Sequence, residues 1–451
     1  MIRFISSLSQ MRRGTPVRCC VCRWRGSYGA RKGRSSIAAT STLSRKESSL
    51  SAAQASPPSS PFFEPSRVFW LDLPRSAESS GGLRRHRVLE WTRTVDGHGD
   101  GDEPRSGASP YIAFFHANSV GPGPWAPIVR RLFLAHDDEI LPTCVAVESR
   151  GHGDTQVAPG NLGAPLPLDN PDLDDDGIHT NDEYYRWELF ADDFARIAAA
   201  LAARYGGPPR AVVTHSFAGD CALLSLAREK TPSLASAPSE APAPPPPRLI
   251  LLDPVLADAE GAARGAARLA RGTRRLGERE AASRETFGAT SSSVCDDYQR
   301  VLAGSGMLHD EGAELDAEAM RAFAAFAIEP CNRNDDEEGS TVPKMRLKCR
   351  RSVEASIYKN RVSLGDVLHD RDLRVDADVQ LVFSSRRRGK REDQSASFER
   401  DWRQAERVIS RCTQGSSKLH LLQGVGHFLT LENPELVAAT LNDLLTNIAP
   451  T

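Results

Sequence analysis

Short apolar runs alternate with amphipathic segments along most of the chain after residue 110. YIAFFHA (111–117) and LILLD (249–253) are apolar at almost every position, which is typical of a strand buried on both faces of a sheet. FADDFARIAAALAARYG (190–206) instead repeats its apolar residues at helical spacing and closes on two glycines, which predicts a helix. The same criteria predict further strands at 144–149, 211–213, 379–383 and 419–424, and further helices at 125–135, 402–412 and 434–448.

This alternation indicates the fold class. Strands and helices that alternate with short connections predict a mostly parallel sheet covered on both faces, and right-handed crossovers make it a doubly wound α/β fold. Residues 257–365 interrupt the alternation, because their helical patterns follow one strand and precede the next. Ligands of open α/β sheets bind at the carboxyl ends of the strands, so we expect this insert to form a helical cap over the pocket.

We therefore expect four parts along the chain. Residues 66–256 and 366–451 are the two parts of the α/β core, residues 257–365 are the cap, and residues 1–65 are a leader with a disordered linker. Four polar or Pro-rich stretches cannot bury enough apolar surface to offset the entropy of ordering, and we expect surface loops there. They are 96–109, 232–247, 332–342 and 384–397.

The net charge of −2 averages two unlike parts of the 451-residue chain. Residues 1–46 contain eleven Lys and Arg and no acidic residue, so the remainder carries 46 basic against 59 acidic side chains, a net charge of −13. An acidic body argues against broad binding to nucleic acid, because phosphate neutralisation needs a basic face. The sequence therefore favours a small-molecule substrate over a nucleic-acid partner, and it leaves the oligomeric state open.

The basic leader is rich in Arg and Ser and has no apolar h-region, which is typical of an organellar transit peptide. We expect a mitochondrial protein, with a basic disordered tail on a cytoplasmic protein as the alternative. Eighteen consecutive apolar residues occur nowhere, so we expect no transmembrane span. Cys19, Cys20 and Cys22 of the leader have no partner cluster elsewhere, and the six other cysteines lack paired short spacing, so we expect no metal. No phosphate-binding glycine motif is present, so we expect no other cofactor either.

The most informative stretch is AVVTHSFAG (211–219), which reads as a strand, one sharp turn and a helix with Ser216 at the turn. A serine nucleophile needs this geometry, because helix N-terminal N–H groups favour a developing oxyanion. Small residues must flank such a turn; Ala218 fits, but Thr214 stands where glycine is usual. Taken alone, the pattern also suits a serine that merely caps the helix.

Three other segments favour the nucleophile over a serine that merely caps the helix. HANSVGPGPW (116–125) is similar to the loop after the third strand of α/β-hydrolase fold proteins, and ESRGHGDT (148–155) is similar to their acidic-x-Arg-Gly-His-Gly turn. GVGHFLTLENPELV (424–437) is similar to their C-terminal Gly-His-Phe segment. With the serine turn, these motifs occur in the expected order over roughly residues 66–449, and the chain resembles serine esterases, lipases and C–C hydrolases of this superfamily.

The resemblance implies roles for single residues. Ser216 matches the nucleophile and His427 the general base. The backbone N–H groups of Phe217 and Asn118 match the oxyanion hole. His116 and His215 would brace their loops and take no part in the chemistry.

The acid of the triad has two candidates. The superfamily usually places it after the strand that 379–383 represents, and there Asp393 lies about ten residues on, in a charged stretch. Asp253 instead follows the strand 249–253 directly, in the Leu-Asp-Pro context of some lipases of the superfamily. A carboxylate at either strand end could reach the histidine, and we prefer Asp253.

The function expected from the resemblance is hydrolysis of an ester, thioester or related acyl bond of a small or lipid-like substrate. Two alternatives stay open: C–C bond hydrolysis or a lyase reaction with the same residues, and a non-catalytic binding protein on the same fold. A serine at the turn disfavours epoxide hydrolase and dehalogenase chemistry, which use a carboxylate nucleophile.

Overall fold

The computed structural model describes a core of strands and helices within the unit Ser59–Thr451. The described residues are 63–73, 85–93, 110–135, 143–155, 182–229, 248–256, 259–283, 296, 298–299, 314–330, 345–364, 367–368, 373–385, 391–412 and 416–446. The predicted leader up to residue 62 lies outside them, as do the predicted loops at 96–109, 232–247 and 332–342. The predicted domain boundaries therefore remain predictions.

Eight strands form one sheet in the order β1-β2-β4-β3-β5-β6-β9-β10, and β7 pairs with β8 separately. The bounds are β1 (Arg67–Asp72), β2 (Arg85–Trp91), β3 (Tyr111–Phe115), β4 (Thr143–Val147), β5 (Ala211–His215), β6 (Arg248–Leu252), β7 (Ile328–Pro330), β8 (Met345–Leu347), β9 (Asp378–Ser384) and β10 (Lys418–Leu422). Strand β2 runs antiparallel to β1 and β4, and the other pairs of the large sheet are parallel. The predicted mostly parallel α/β sheet is confirmed.

The central strands of the sheet have continuously apolar sequences, which suit burial on both faces. Every residue of β3, β4 and β5 is buried, as a strand covered on both faces requires. Strands β1 and β2 were not predicted, because polar and charged residues interrupt their apolar positions. They pair antiparallel along one edge of the sheet, where Arg67 lies opposite Glu90 in the register.

Helices cover both faces of the large sheet. Their bounds are α1 (Trp125–Ala135), α2 (Trp187–Tyr205), α3 (Phe217–Glu229), α4 (Ala259–Ser283), α5 (Ala317–Ala327), α6 (Arg351–Lys359), α7 (Arg391–Arg411), α8 (Leu429–Glu432) and α9 (Pro434–Thr446). One core cluster joins the sheet to α1 and α9, and another joins it to α2, α3 and α7. This division makes the fold doubly wound. Helix α2 ends as predicted, because Gly206 adopts φ 75° and its N–H donates to the Ala202 carbonyl.

The segment between β6 and β9 contributes α4, α5 and α6 and the β7–β8 pair, in keeping with the helical patterns predicted there. Helix α4 packs on α6, and α5 packs on α1 and the loop before it. The close approach of α5 depends on Gly123, where an added Cβ would lie 2.2 Å from the Ala322 carbonyl oxygen. Within the described ranges, no helix is both long and apolar enough to cross a bilayer.

One predicted loop is wrong in part. The stretch 384–397 was expected to be a charged loop, but helix α7 already begins at Arg391. The residues there are mostly good helix formers, and acidic residues in a first turn are favoured by the helix dipole. Asp393 therefore belongs to the first turn of α7 and not to a loop.

Candidate active site

Four of the predicted site residues lie just beyond strands of the large sheet. Asn118 follows β3, Ser216 follows β5 directly, Asp253 follows β6 directly, and His427 lies in the loop after β10. These strands are parallel, so their carboxyl ends lie on one edge of the sheet. The fold thus brings together residues that are far apart in the sequence.

The turn at Ser216 is held by the backbone. Ser216 has φ 59°, a left-handed conformation that costs free energy for a residue with a Cβ. Its N–H donates to the Leu252 carbonyl at 3.0 Å, and its carbonyl accepts from the Gly219 N–H at 2.9 Å. These bonds fix the serine at the start of α3, where the helix dipole favours negative charge.

Thr214 is accommodated beside this turn because Gly219 has no side chain. A Cβ added at Gly219 would lie 3.0 Å from the Thr214 Oγ1 and 3.3 Å from the Pro254 Cβ. Thr214 lies two residues before Ser216, where a glycine is usual, and Gly219 after Ser216 leaves room for the Thr214 side chain. The departure from the usual motif does not distort the turn.

Ser216, His427 and Asp253 form one continuous chain of hydrogen bonds. The Ser216 Oγ lies 2.9 Å from the His427 Nε2, and the His427 Nδ1 lies 2.7 Å from the Asp253 Oδ2. A carboxylate only accepts, so Nδ1 carries the proton and Nε2 is left to accept from the serine hydroxyl. This is the tautomer that a histidine base needs.

The Asp253 carboxylate is fully buried and held on both sides. Its Oδ1 accepts from the Ser384 N–H at 3.0 Å, while Oδ2 faces His427. The backbone is fixed too, because the Asp253 N–H donates to the Val382 carbonyl at 2.7 Å. The side chain of the other candidate acid, Asp393, lies outside the described residues.

The loop that carries His427 is fixed from two directions. The His215 ring lies with Nε2 2.8 Å from the His427 carbonyl oxygen, so it donates there. The Glu432 carboxylate accepts from the Gly426 N–H at 2.7 Å and from the Phe428 N–H at 3.2 Å. Both neighbours of His427 are therefore bound to one side chain on α8.

Among the described residues, the two predicted oxyanion donors have no protein acceptor. Phe217 is the first residue of α3, and Asn118 lies in the loop after β3. Neither N–H donates a hydrogen bond to any other described residue. Both groups are available to a ligand oxygen, as an oxyanion hole requires.

A match to a protein-family model identifies the family of this chain. The model described as the alpha/beta hydrolase family matches residues 112–440. The chain belongs to the α/β-hydrolase family. No protein of curated function matches the sequence significantly.

Several solved structures are similar to this chain at low sequence identity. The peroxisomal α/β-hydrolase Lpx1 of Saccharomyces cerevisiae is 15% identical with a TM-score of 0.51, over 85% of this chain and 90% of that one. E-2-(acetamidomethylene)succinate hydrolase is 17% identical, with a TM-score of 0.46 over 80% and 95% of the two chains. The thioesterase domain from the curacin biosynthetic pathway is 14% identical, with a TM-score of 0.47 over 84% and 98%. At 15% identity, the similarity to Lpx1 supports the fold alone.

The ESRGHGDT turn of this α/β-hydrolase is an internal brace. The Glu148 Oε2 accepts from the Asp154 N–H at 3.0 Å and the Thr155 N–H at 3.1 Å, which closes the loop on itself. Burial raises the pKa of Glu148 to about 7. Arg150 binds Asp193 of α2 through two hydrogen bonds, from Nε at 2.9 Å and from Nη2 at 3.0 Å.

Sequence reasoning missed several polar contacts of the site. It assigned no role to Glu432, Arg150 or His152, and it gave no partner to His215. The only signal for them was their place inside motifs similar to those of the family. No group of three or more His, Cys, Asp or Glu suited to a metal ion occurs among the described side chains.

Proposed function

We propose that this α/β-hydrolase is a serine hydrolase that cleaves an ester, thioester or related acyl bond. The observation that carries the proposal is the hydrogen-bonded chain from the Ser216 Oγ through His427 to the buried Asp253 carboxylate. The left-handed turn at Ser216 supports it, because strain of this kind persists only where the surrounding structure holds it.

In the proposed reaction the Ser216 Oγ attacks the substrate carbonyl while the His427 Nε2 takes the hydroxyl proton. Asp253 stabilises the imidazolium that forms. The Phe217 and Asn118 N–H groups receive the negative charge on the carbonyl oxygen, and His427 then protonates the leaving group. In the second half, water loses a proton to His427 and attacks the acyl-enzyme, which releases the acid and restores Ser216.

The surroundings of Ser216 favour an apolar acyl group. Phe217 packs edge to face against Phe190 with ring centroids 5.3 Å apart, and Trp187 lies 6.1 Å from the same ring. These aromatic side chains belong to one buried cluster next to the nucleophile. The proposed small or lipid-like acyl chain suits these apolar surroundings better than a charged one, because burying an unpaired charge is costly.

The nucleophile assignment is tested with p-nitrophenyl ester turnover and fluorophosphonate labelling. The wild type should turn over ester and be labelled, whereas Ser216→Ala should do neither. Ser225→Ala is the matched control, because Ser225 is a buried serine of α3 two turns further on. Labelling of Ser216→Ala at the wild-type level would refute the assignment.

The same assays separate the two candidate acids. We expect Asp253→Asn to lower kcat on the order of 10⁴-fold, because an amide at this position favours the wrong histidine tautomer. Asp393→Asn should match the wild type, and the reverse result would transfer the role to Asp393. A wild type that is labelled at Ser216 but hydrolyses no ester would favour C–C bond cleavage. One that shows neither property would be a binding protein.

A further inference from the structure

Two buried histidines stand at the ends of the neighbouring parallel strands β3 and β4. His116 follows β3 directly, and His152 lies in the turn after β4. Each is only 1% exposed, and their rings meet edge to face with centroids 4.8 Å apart. Neither belongs to the Ser216 hydrogen-bonded chain, so their burial calls for another reason.

Each ring accepts a hydrogen bond from a backbone N–H of the loop that carries the other ring. The Ser119 N–H, in the loop after β3, donates to the His152 Nε2 at 2.9 Å. The Ser149 N–H, in the loop after β4, donates to the His116 Nε2 at 2.9 Å. We call this pair the histidine clasp, because each loop is bound through a ring of the other.

The remaining ring nitrogens fix the tautomer. The His152 Nδ1 lies 2.9 Å from the Arg150 carbonyl oxygen, and the His116 Nδ1 lies 2.8 Å from the Ala117 carbonyl oxygen. A carbonyl only accepts, so both rings carry their proton on Nδ1 and are acceptors at Nε2. A protonated ring would lose that acceptor. Burial lowers the pKa of His152 to about 4, and burial also lowers the pKa of His116, so both rings are neutral near pH 7.

The clasp acts on the residues that present the predicted oxyanion donor. Ser119 is held with φ 66°, a conformation unfavourable for a residue other than glycine. The side-chain Oδ1 of the preceding Asn118 also lies 3.2 Å from the His152 Nε2. Two acceptors cannot form a hydrogen bond, so this tautomer requires the amide with its O and N positions exchanged, which gives a partner to the Nδ2 that otherwise has none among the described residues. The His152 ring thus contacts both residues that set the direction of the Asn118 backbone N–H.

We propose that His152, supported by His116, is a positioning residue that holds the Asn118 backbone N–H in place to receive the oxyanion. This role rests on the proposed serine hydrolase function. It differs from that of the triad, because the ring touches neither the nucleophile nor the base. It acts through the loop, and its ring also stacks on Phe217 with centroids 6.3 Å apart. Its loss should weaken binding of the transition state more than binding of the substrate.

The test compares three variants of the full chain. His152→Leu removes the acceptor, and His152→Gln keeps an oxygen near the position of Nε2. His420→Leu is the control, because His420 is a half-buried histidine of β10 outside the site. Its Nε2 lies 2.8 Å from the Gln380 Oε1. We expect His152→Leu to lower kcat and kcat/KM by the same factor, about 10²-fold, which is typical of losing one oxyanion donor. His152→Gln should recover most of this loss, and His420→Leu should match the wild type.

Two results would overturn the proposal. One is a folded His152→Leu whose kcat stays within about twofold of the wild type, since a positioning role predicts a much larger loss. The other is a loss confined to KM, or one that His152→Gln does not relieve, because a merely structural role would give either result.

A second measurement does not depend on activity. ¹⁵N NMR of the wild-type rings at pH 7 should show His152 protonated on Nδ1 and bare on Nε2, and the opposite tautomer would overturn the clasp. If the wild type neither hydrolyses ester nor is labelled, the proposed function fails and the oxyanion role fails with it. The NMR result would then still show whether the clasp exists, so the two failures are distinguishable.

Discussion

Asp220 should make the stability of the protein depend on pH near neutrality. It lies on α3 one turn after Ser216, is 1% exposed, and accepts from the Val255 N–H through Oδ2 at 2.8 Å. Its Oδ1 has no hydrogen-bond partner among the described residues. Burial raises the pKa of this carboxyl from 3.8 to about 7, against the opposing effects of the Val255 N–H and of Arg361.

The sign and the size of the effect follow from proton linkage. Between pH 3.8 and about 7 the folded protein keeps a proton on Asp220 that the unfolded chain has released. The folded state binds more protons there, so the free energy of unfolding falls as pH rises through this range and is then constant. The full difference in pKa corresponds to about 4 kcal/mol, and roughly 3 kcal/mol of it falls between pH 4.5 and 8.

Urea unfolding of wild type and Asp220→Asn at pH 4.5, 6 and 8 measures this contribution. The amide keeps an oxygen for the Val255 N–H but cannot ionise. Relative to the wild type, the variant should therefore gain about 3 kcal/mol of unfolding free energy from pH 4.5 to pH 8. Asp443→Asn, at an exposed position of α9, is the control and should run parallel to the wild type. If Asp220→Asn also runs parallel, the carboxyl is ionised in the folded protein and the reasoning fails.

The remaining predictions concern packing at two glycines and one buried ion pair. Gly123→Ala should lower the free energy of unfolding by about 1–3 kcal/mol, because its Cβ would meet the Ala322 backbone; Gly272→Ala, with open space around it in α4, should raise it by about 0.5–1 kcal/mol. Urea midpoints that shift in the same direction for both would contradict this. Arg150→Met should lower the free energy of unfolding by about 3 kcal/mol, because the buried Asp193 carboxylate would keep only the more distant Arg196 at 3.5 Å and His86 at 3.8 Å. Adding Asp193→Leu should restore much of this loss. No recovery in the double variant would show that the loss has another cause.

Sequence patterns predicted the parts of the fold that depend on continuous burial. Strands β3, β4 and β5 are apolar throughout because both of their faces are covered, and such runs stand out against polar connections. The edge strand β1 and its neighbour β2 lack that signal, since polar and charged residues interrupt their apolar positions even where they are buried, as His86 of β2 is. The start of α7 was missed for a related reason, because a charged stretch without apolar periodicity looks like a loop even where it is helical.

The same reasoning predicted residues at strand ends but not the bonds between loops. Ser216 and Asp253 follow their strands directly, so the topology alone places them on one edge of the sheet. The contact between His152 and the Ser119 N–H joins residues 33 positions apart and depends on the local course of two loops. Neither periodicity nor composition encodes such a distance. A motif similarity could indicate that His152 belongs near the site, but not which atom it binds.

The position of the candidate acid has a physical explanation in the sheet. Strands β6 and β9 are parallel neighbours, with Leu252 opposite Val382, so Asp253 stands next to the end of β9. The superfamily usually carries the acid after that strand, whereas here Ser384 ends it, and its N–H binds the Asp253 Oδ1 at 3.0 Å. The backbone of β9 thus supports a carboxylate supplied by β6.

This arrangement also separates the acid from the helices that follow it. Two residues after Asp253, both backbone groups of Val255 are bound: its N–H by Asp220 of the core at 2.8 Å, and its carbonyl by the Arg361 guanidinium at 2.8 Å. The segment that leads into α4 is therefore anchored before that helix begins. Because Asp253 is tied to β9 and Val255 to α3, a displacement of α4 does not have to move the carboxylate that orients His427.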